Sequence, residues 1–264
     1  MFVMMHHLSQ VLKEYPDSFL SSKLIIVGRL AVGLFFFVSG YGLIKQYKNK
    51  GEVYLRTFFK KKIMSVILPF ILAMIIYYIY DNFTGEMRIE VALSSLLNGS
   101  PIVSNGWFVI MIIYLYISFY ISAYLTKRNT LILVLLLLLS SFLVIYLADY
   151  LDYGEWWTNA VFCFPLGIIW SSQERRVTNF LFKNYRISGI TLAVLFSCFF
   201  YLDEIFNRPV FRMVSVIFFV SFIVITSYKF TFHNPIFYLI KSFSFELYLY
   251  QGLFIRLCHS DTFM

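Results

Sequence analysis

Apolar runs of about twenty residues, each closed by a short polar or charged link, follow one another along almost the whole chain. A helix rising about 1.5 Å per residue needs about 20 apolar residues to cross about 30 Å of hydrocarbon. The pattern therefore predicts membrane spans near 24–45, 63–81, 106–125, 130–148, 157–172, 187–202, 210–228 and 235–257. Ahead of them, "MFVMMHHLSQ" reads as the tail of a span, too short to cross. It lacks the basic start and small-residue cleavage site of a signal peptide. The expected fold is all-α, a polytopic transmembrane helical bundle of eight full spans plus an N-terminal helix stub. The links leave no room for an appended domain, so residues 1–264 are expected to form a single integral membrane domain.

Composition agrees with lipid as the solvent. Hydrophobic residues make up 60% of the chain and charged residues 14%, with a mean hydropathy of +0.75. A soluble domain of this length carries nearly twice that charge. Many tyrosines fall near the ends of apolar runs, where an aromatic belt belongs. Cys163, Cys198 and Cys258 all lie in apolar runs and read as small buried hydrophobes. No zinc-ligand spacing, P-loop, GxGxxG or GxSxG occurs, so no metal site and no bound cofactor is expected.

Charge orients the bundle. The links after the first, third, fifth and seventh spans hold Lys45, Lys48, Lys50, Arg56, Lys60, Lys61 and Lys62, then Lys127 and Arg128, then Arg175, Arg176, Lys183 and Arg186, then Lys229. The N-terminal segment and the alternate links hold only Lys13, Lys23, Arg88 and Arg208, and are rich in Asp and Glu. By the positive-inside rule the first set is cytoplasmic. The net charge of +8 is thus a topology signal, and nucleic acid is excluded as a partner.

Several residues depart from the apolar pattern. In "GLFFFVSGYGLIKQ", Gly33 to Gln46, the first span loosens into small residues near its cytoplasmic exit. Arg29, Gly33 and Gly40 fall within about 40° of one another at about 100° per residue. One reading is a close-packing face between membrane helices; the other is a groove at Ser39 and Gly40, open to a ligand from the basic side. Arg29, Arg212 and Arg256 lie inside spans, where a charge either finds a partner or snorkels to the interface. In the last span Lys241 and Glu246 are about 140° apart, too far around the helix to pair. With Ser244, Tyr248 and Gln251 they make this helix polar on two faces, which belongs inside the bundle. The cluster Arg56, Lys60, Lys61 and Lys62 sets topology, binds anionic headgroups, or attracts a phosphorylated ligand.

"RLAVGLFFFVSGYGL", then "LRTFFKKKIMSVILPF", "NGWFVIMIIYLY" and late in the chain "SFSFELYLYQGLF" keep the order of motifs in the acyltransferase-3 family, which the chain resembles over nearly its whole length. That resemblance implies a bacterial inner-membrane O-acyltransferase of cell-surface glycans. It implies an acyl-CoA donor, acetyl-CoA by default, drawn from the cytosol, with membrane lipid around it. It makes His7, with His6 beside it, the counterpart of the family's histidine at the outer end of the first helix. A neutral imidazole there would take the proton of a sugar hydroxyl attacking a thioester. The residues alone read equally as interfacial histidines. Arg56, Lys60, Lys61, Lys62, Ser39 and Gly40 would serve the donor. Arg29, Trp107, Tyr116, Glu246, Tyr248 and Gln251 are acceptor-site or structural candidates, and an aromatic belt explains Trp107 and Tyr116 as well. The family places a histidine where Gln251 stands. It also has ten helices, so the first is expected to be incomplete here and the tenth missing, and the chain to be weakly active or inactive.

Two other classes stay open: a polytopic transporter or flippase for lipid-linked glycans, and an inactive truncated relative. Acyl-CoA consumption separates the transporter from the enzyme.

Overall fold

The computed structural model describes residues 19–85, 90–91, 102–103, 106–127, 129–229 and 235–259. Among them every regular element is helical. The elements are α1 Phe19–Lys50, α2 Glu52–Arg56, a π-helical turn Phe59–Ile63 leading into α3 Met64–Phe83, α4 Trp107–Thr126 and α5 Thr130–Tyr150. After a 3-10 turn at Glu155–Trp157 come α6 Cys163–Ser172, α7 Glu174–Lys183, α8 Tyr185–Phe206, α9 Pro209–Ser227 and α10 Pro235–His259.

Local sequence sets several of these boundaries. The Asn129 side chain accepts from the Leu131 and Ile132 amides at 3.1 and 3.2 Å and so caps the start of α5. Asn207, left-handed at φ 45°, ends α8, and Pro209 opens α9 at its first turn. On α5, Leu131, Leu135, Leu139 and Phe142 are exposed while Leu133, Leu137 and Ser141 are buried. These two stripes at helical spacing are a lipid face and a packing face.

Six helices among the described residues are long and apolar enough to cross a membrane: Val27–Lys50 within α1, Phe59–Phe83, α4, α5, α8 and α9. The chain is thus a multi-pass membrane protein, but eight spans are not recovered. The expected span 157–172 contains only the ten-residue α6, about 15 Å long against about 30 Å of hydrocarbon. Residues 151–162 form turns instead, with Thr158 and Asn159 buried. α10 covers the expected span 235–257 and is long enough at 25 residues. It carries Lys241, Glu246 and Arg256 and is not one of the six.

The chain divides into two compact units. The first comprises Met1–Gly28, Phe59–Tyr114 and His233–Met264, of which only the described residues enter here. In it α3 and α10 run parallel. The Tyr77 hydroxyl donates to the Leu249 carbonyl at 3.1 Å, and one turn further on Arg256 pairs with Asp81 at 2.7 Å. Phe108, in the first turn of α4, packs its ring edge-on against Tyr248, centroids 5.0 Å apart.

The second unit comprises Arg29–Phe58 and Leu115–Phe232. α1 lies against α6 and α9 through its small residues. A Cβ on Gly40 would collide with the Phe164 carbonyl oxygen, and one on Gly167 with the Phe37 carbonyl. One on Gly33 would collide with Val216 of α9. This face is a packing face, as one of the two readings of Gly33 and Gly40 expected. α4 runs alongside α1, the Tyr47 hydroxyl donating to the Ala123 carbonyl at 3.1 Å. α8 and α9 form an antiparallel pair with Phe196 on Phe219 and Phe199 on Phe218.

Although α6 is short, its segment still passes between the two ends of this unit. Before it, Glu155 pairs with Arg212, which also holds Asp203, the partner of Arg29. After it, Glu174 accepts from Tyr41. Arg29 and Tyr41 lie twelve residues apart on α1, about 18 Å of helix. Turns and a short helix do what an unbroken helix does elsewhere, so the alternation of basic and acidic links survives in this unit.

Candidate functional site

Three groups of polar side chains lie within the second unit. The innermost begins with Ser39, whose hydroxyl shares a hydrogen bond with that of Tyr116 on α4. Gly51, at φ 58°, lets the chain turn after α1, and the next residues fold back on α4. Tyr54 stacks edge-on with Phe58, which in turn meets Tyr116, Phe119 and Tyr120. The Tyr54 hydroxyl is buried and, among the described residues, has no hydrogen-bond partner. Burial pushes its pKa up, and nearby Tyr116 raises it further. A neutral phenol with unspent donor and acceptor capacity inside an apolar unit is costly unless something binds it. Gly42, by contrast with Gly40, has open space beside it.

At the acidic end, Arg29 donates to Asp203 at 2.9 Å and Arg212 at 3.1 Å, and Arg212 also reaches Glu155. Asp203 is buried at 5% exposure, and the Arg29 Nε is buried without a partner among the described residues. Partnering, not snorkelling, is how Arg29, Arg212 and Arg256 are accommodated.

At the basic end, Tyr41 donates to Glu174 at 2.6 Å, and Lys45 approaches the same carboxylate at 3.4 Å. The Tyr41 hydrogen bond, helped by Lys45, holds the Glu174 carboxyl below its usual range. Beside this contact is an open cavity of about 890 Å³, lined among others by Lys48, Arg175, Arg176 and Leu131.

In the first unit Gln251 is buried at 5% exposure, and neither end of its amide is hydrogen-bonded among the described residues. It lies three residues after Tyr248, also buried, and five before Arg256. Glu246 is exposed. Among the described residues α10 buries the polar face of Tyr248 and Gln251, while Glu246 falls about 200° from Tyr248 around the helix.

Of the remaining candidates, His6 and His7 lie outside the described residues. Arg56, Lys60 and Lys61 are exposed and Lys62 half-buried, the three lysines on the π-helical turn, a geometry frequent at functional sites. Trp107 is half-buried, its ring edge-on to Phe108. Cys163 is buried as expected, whereas Cys198 is exposed, because α8 turns nearly all its apolar surface outward. Among the described residues no group of His, Cys, Asp and Glu could hold a metal ion.

Sequence reasoning missed Tyr54, Glu174, Asp203 and Asp81 as site members. Acidic residues at span ends read as loop charges, and only the arginines inside spans hinted that carboxylates must be near. Against known proteins, the family model described as an acyltransferase domain, of the acyltransferase-3 type, matches residues 1–263. No curated protein and no solved structure matches the chain.

Proposed function

The chain belongs to the acyltransferase-3 family, and from that membership we propose that it moves an acetyl group from cytosolic acetyl-CoA to a hydroxyl of an extracytoplasmic glycan. Family membership over essentially the whole chain is the observation that carries this reading. The reaction joins the acceptor oxygen to the thioester carbonyl carbon, releases CoA as the thiol, and moves the acceptor's proton to a base. His7 is the proposed base, with His6 beside it. An imidazole is neutral and basic near its ordinary pKa of about 6.5, the range where proton transfer is most effective.

Arg56, Lys60, Lys61 and Lys62 draw in the donor's phosphates as exposed positive charges. Gly40 contributes by letting α6 approach, and Ser39, Tyr54 and Tyr116 offer hydroxyls to the donor's amide-bearing arm. The unpartnered Tyr54 hydroxyl supports this, because a buried phenol wants a ligand. Arg29, Trp107, Glu246, Tyr248 and Gln251 are assigned to the acceptor or to its surroundings, and the setting is a bacterial inner membrane.

The test is acetyl-CoA turnover in membranes carrying the chain, read as free CoA thiol and as labelled acetyl on envelope glycan. Both should appear together and both should fall by at least about 10²-fold in His7→Ala, the ordinary scale of general-base catalysis. Glycan movement across the membrane without thiol release would replace the enzyme with a transporter. Unchanged turnover in His7→Ala would remove the base assignment.

A further inference from the structure

The basic end of the second unit is built for more than topology. Three segments converge there: the last turns of α1, the start of α5, and the junction of α6 and α7. They border the open cavity of about 890 Å³, within the range of about 300–1,000 Å³ typical of organic-ligand sites and far larger than one ion needs. Lys45, Lys48, Arg175 and Arg176 line it, against a single carboxylate, Glu174. That carboxylate is already engaged by Tyr41 and Lys45. Lys48 donates to the Ser172 carbonyl at 3.2 Å, which fixes its stem at the rim. Arg175 and Arg176 are exposed, and among the described residues neither forms an ion pair.

We propose that this cavity is a phosphate-binding site, built without the Lys60–Lys62 cluster, in which the Arg175 and Arg176 guanidinium groups clamp the phosphate and Lys45 and Lys48 complete its cradle. A guanidinium presents paired N–H donors that match two phosphate oxygens, and ammonium groups add point charge. The Glu174 side chain positions Lys45 and does not touch the phosphate, which it would repel. Leu131 and the lipid-facing stripe of α5 adjoin the cavity, so an apolar tail attached to the phosphate has somewhere to go. Two sources share this chemistry: the nucleotide end of a CoA thioester, and the headgroup of an anionic phospholipid. Only the first depends on the proposed function.

The experiment uses the whole chain in phosphatidylcholine nanodiscs, with and without phosphatidylglycerol. Binding of 3′,5′-ADP is measured by equilibrium titration and retention of phosphatidylglycerol by native mass spectrometry. The comparison is the unaltered chain against Arg175→Gln/Arg176→Gln, against Lys45→Gln/Lys48→Gln, and against Lys60→Gln/Lys61→Gln/Lys62→Gln. A loss of about tenfold in 3′,5′-ADP binding in the first two variants supports the site with the nucleotide as its source, that being the loss expected when charge-assisted hydrogen bonds are removed. A comparable loss of phosphatidylglycerol retention, with 3′,5′-ADP unaffected, supports the site with lipid as its source. If neither probe responds to the first two variants, or only the Lys60–Lys62 variant responds, the proposal is wrong. Thermal unfolding separates lost binding from lost fold. Should phosphate binding follow these residues while no acyl transfer is ever detected, this site stands and the proposed function falls.

Discussion

Asp203 shows how a buried charge is tolerated in this chain. Its carboxylate is buried and answers two arginines, Arg29 and Arg212, both themselves mostly buried. Removing one member of such a set leaves the others uncompensated, which typically costs about 3–5 kcal/mol. Asp203→Asn should therefore lower thermal stability strongly, and Arg212→Ala in that background should add less than it does alone. Simple additivity of the two would mean the pair is not coupled. Glu174 is a milder case. Its pKa is depressed in the folded chain, mainly by the Tyr41 hydrogen bond. The stability it contributes is present above the ordinary Glu pKa of about 4.3 and is lost as pH falls below that value. Tyr41→Phe should flatten the stability profile in that acid range and leave it unchanged near pH 7 apart from a constant offset.

At the level of the helix, α6 is held by backbone contact rather than by length. Gly40 and Gly167 let α1 and α6 touch, each against the other's carbonyl. Gly167→Leu should destabilise the protein by at least about 1–3 kcal/mol through overpacking. Gly42→Ala, with nothing beside it, should stay within about 0.5 kcal/mol of the parent. Equal effects in a thermal-unfolding comparison would argue against the α1–α6 crossing. The sequence made this contact half legible. The period of Gly33 and Gly40 pointed to one face, but a packing face and a ligand groove share that period, and only the partner helix distinguishes them. The same limit explains the expected span at 157–172. Hydropathy reports how apolar a stretch is, not whether Thr158 and Asn159 will be buried in a turn. Long runs such as the twenty-one-residue, mostly apolar α5 carried no such ambiguity, since such a run in lipid has no alternative to a helix.

For the whole molecule, charge alternation along the chain was the most legible feature, and the packing within the second unit agrees with it. In the second unit Lys45, Glu174 and Arg175 lie at one end, and Arg29, Asp203 and Glu155 at the other. Single cysteines at Asp152 and at Arg175 should behave oppositely toward an impermeant thiol reagent in intact cells, the first reacting and the second not. Labelling at both would contradict the orientation. The ion-paired carboxylates were not legible in this way, because their partners lie up to 175 positions away in sequence. In the proposed function an acyl group enters at the basic end and leaves at the other. Sealed vesicles carrying the chain test it most directly, with labelled acetyl-CoA confined to the compartment that faces Arg175 and glycan confined to the opposite one. Acetylated glycan should accumulate while the label in acetyl-CoA declines and intact acetyl-CoA stays on its own side. Acetylation only when donor and glycan share a compartment, or none at all, would contradict it.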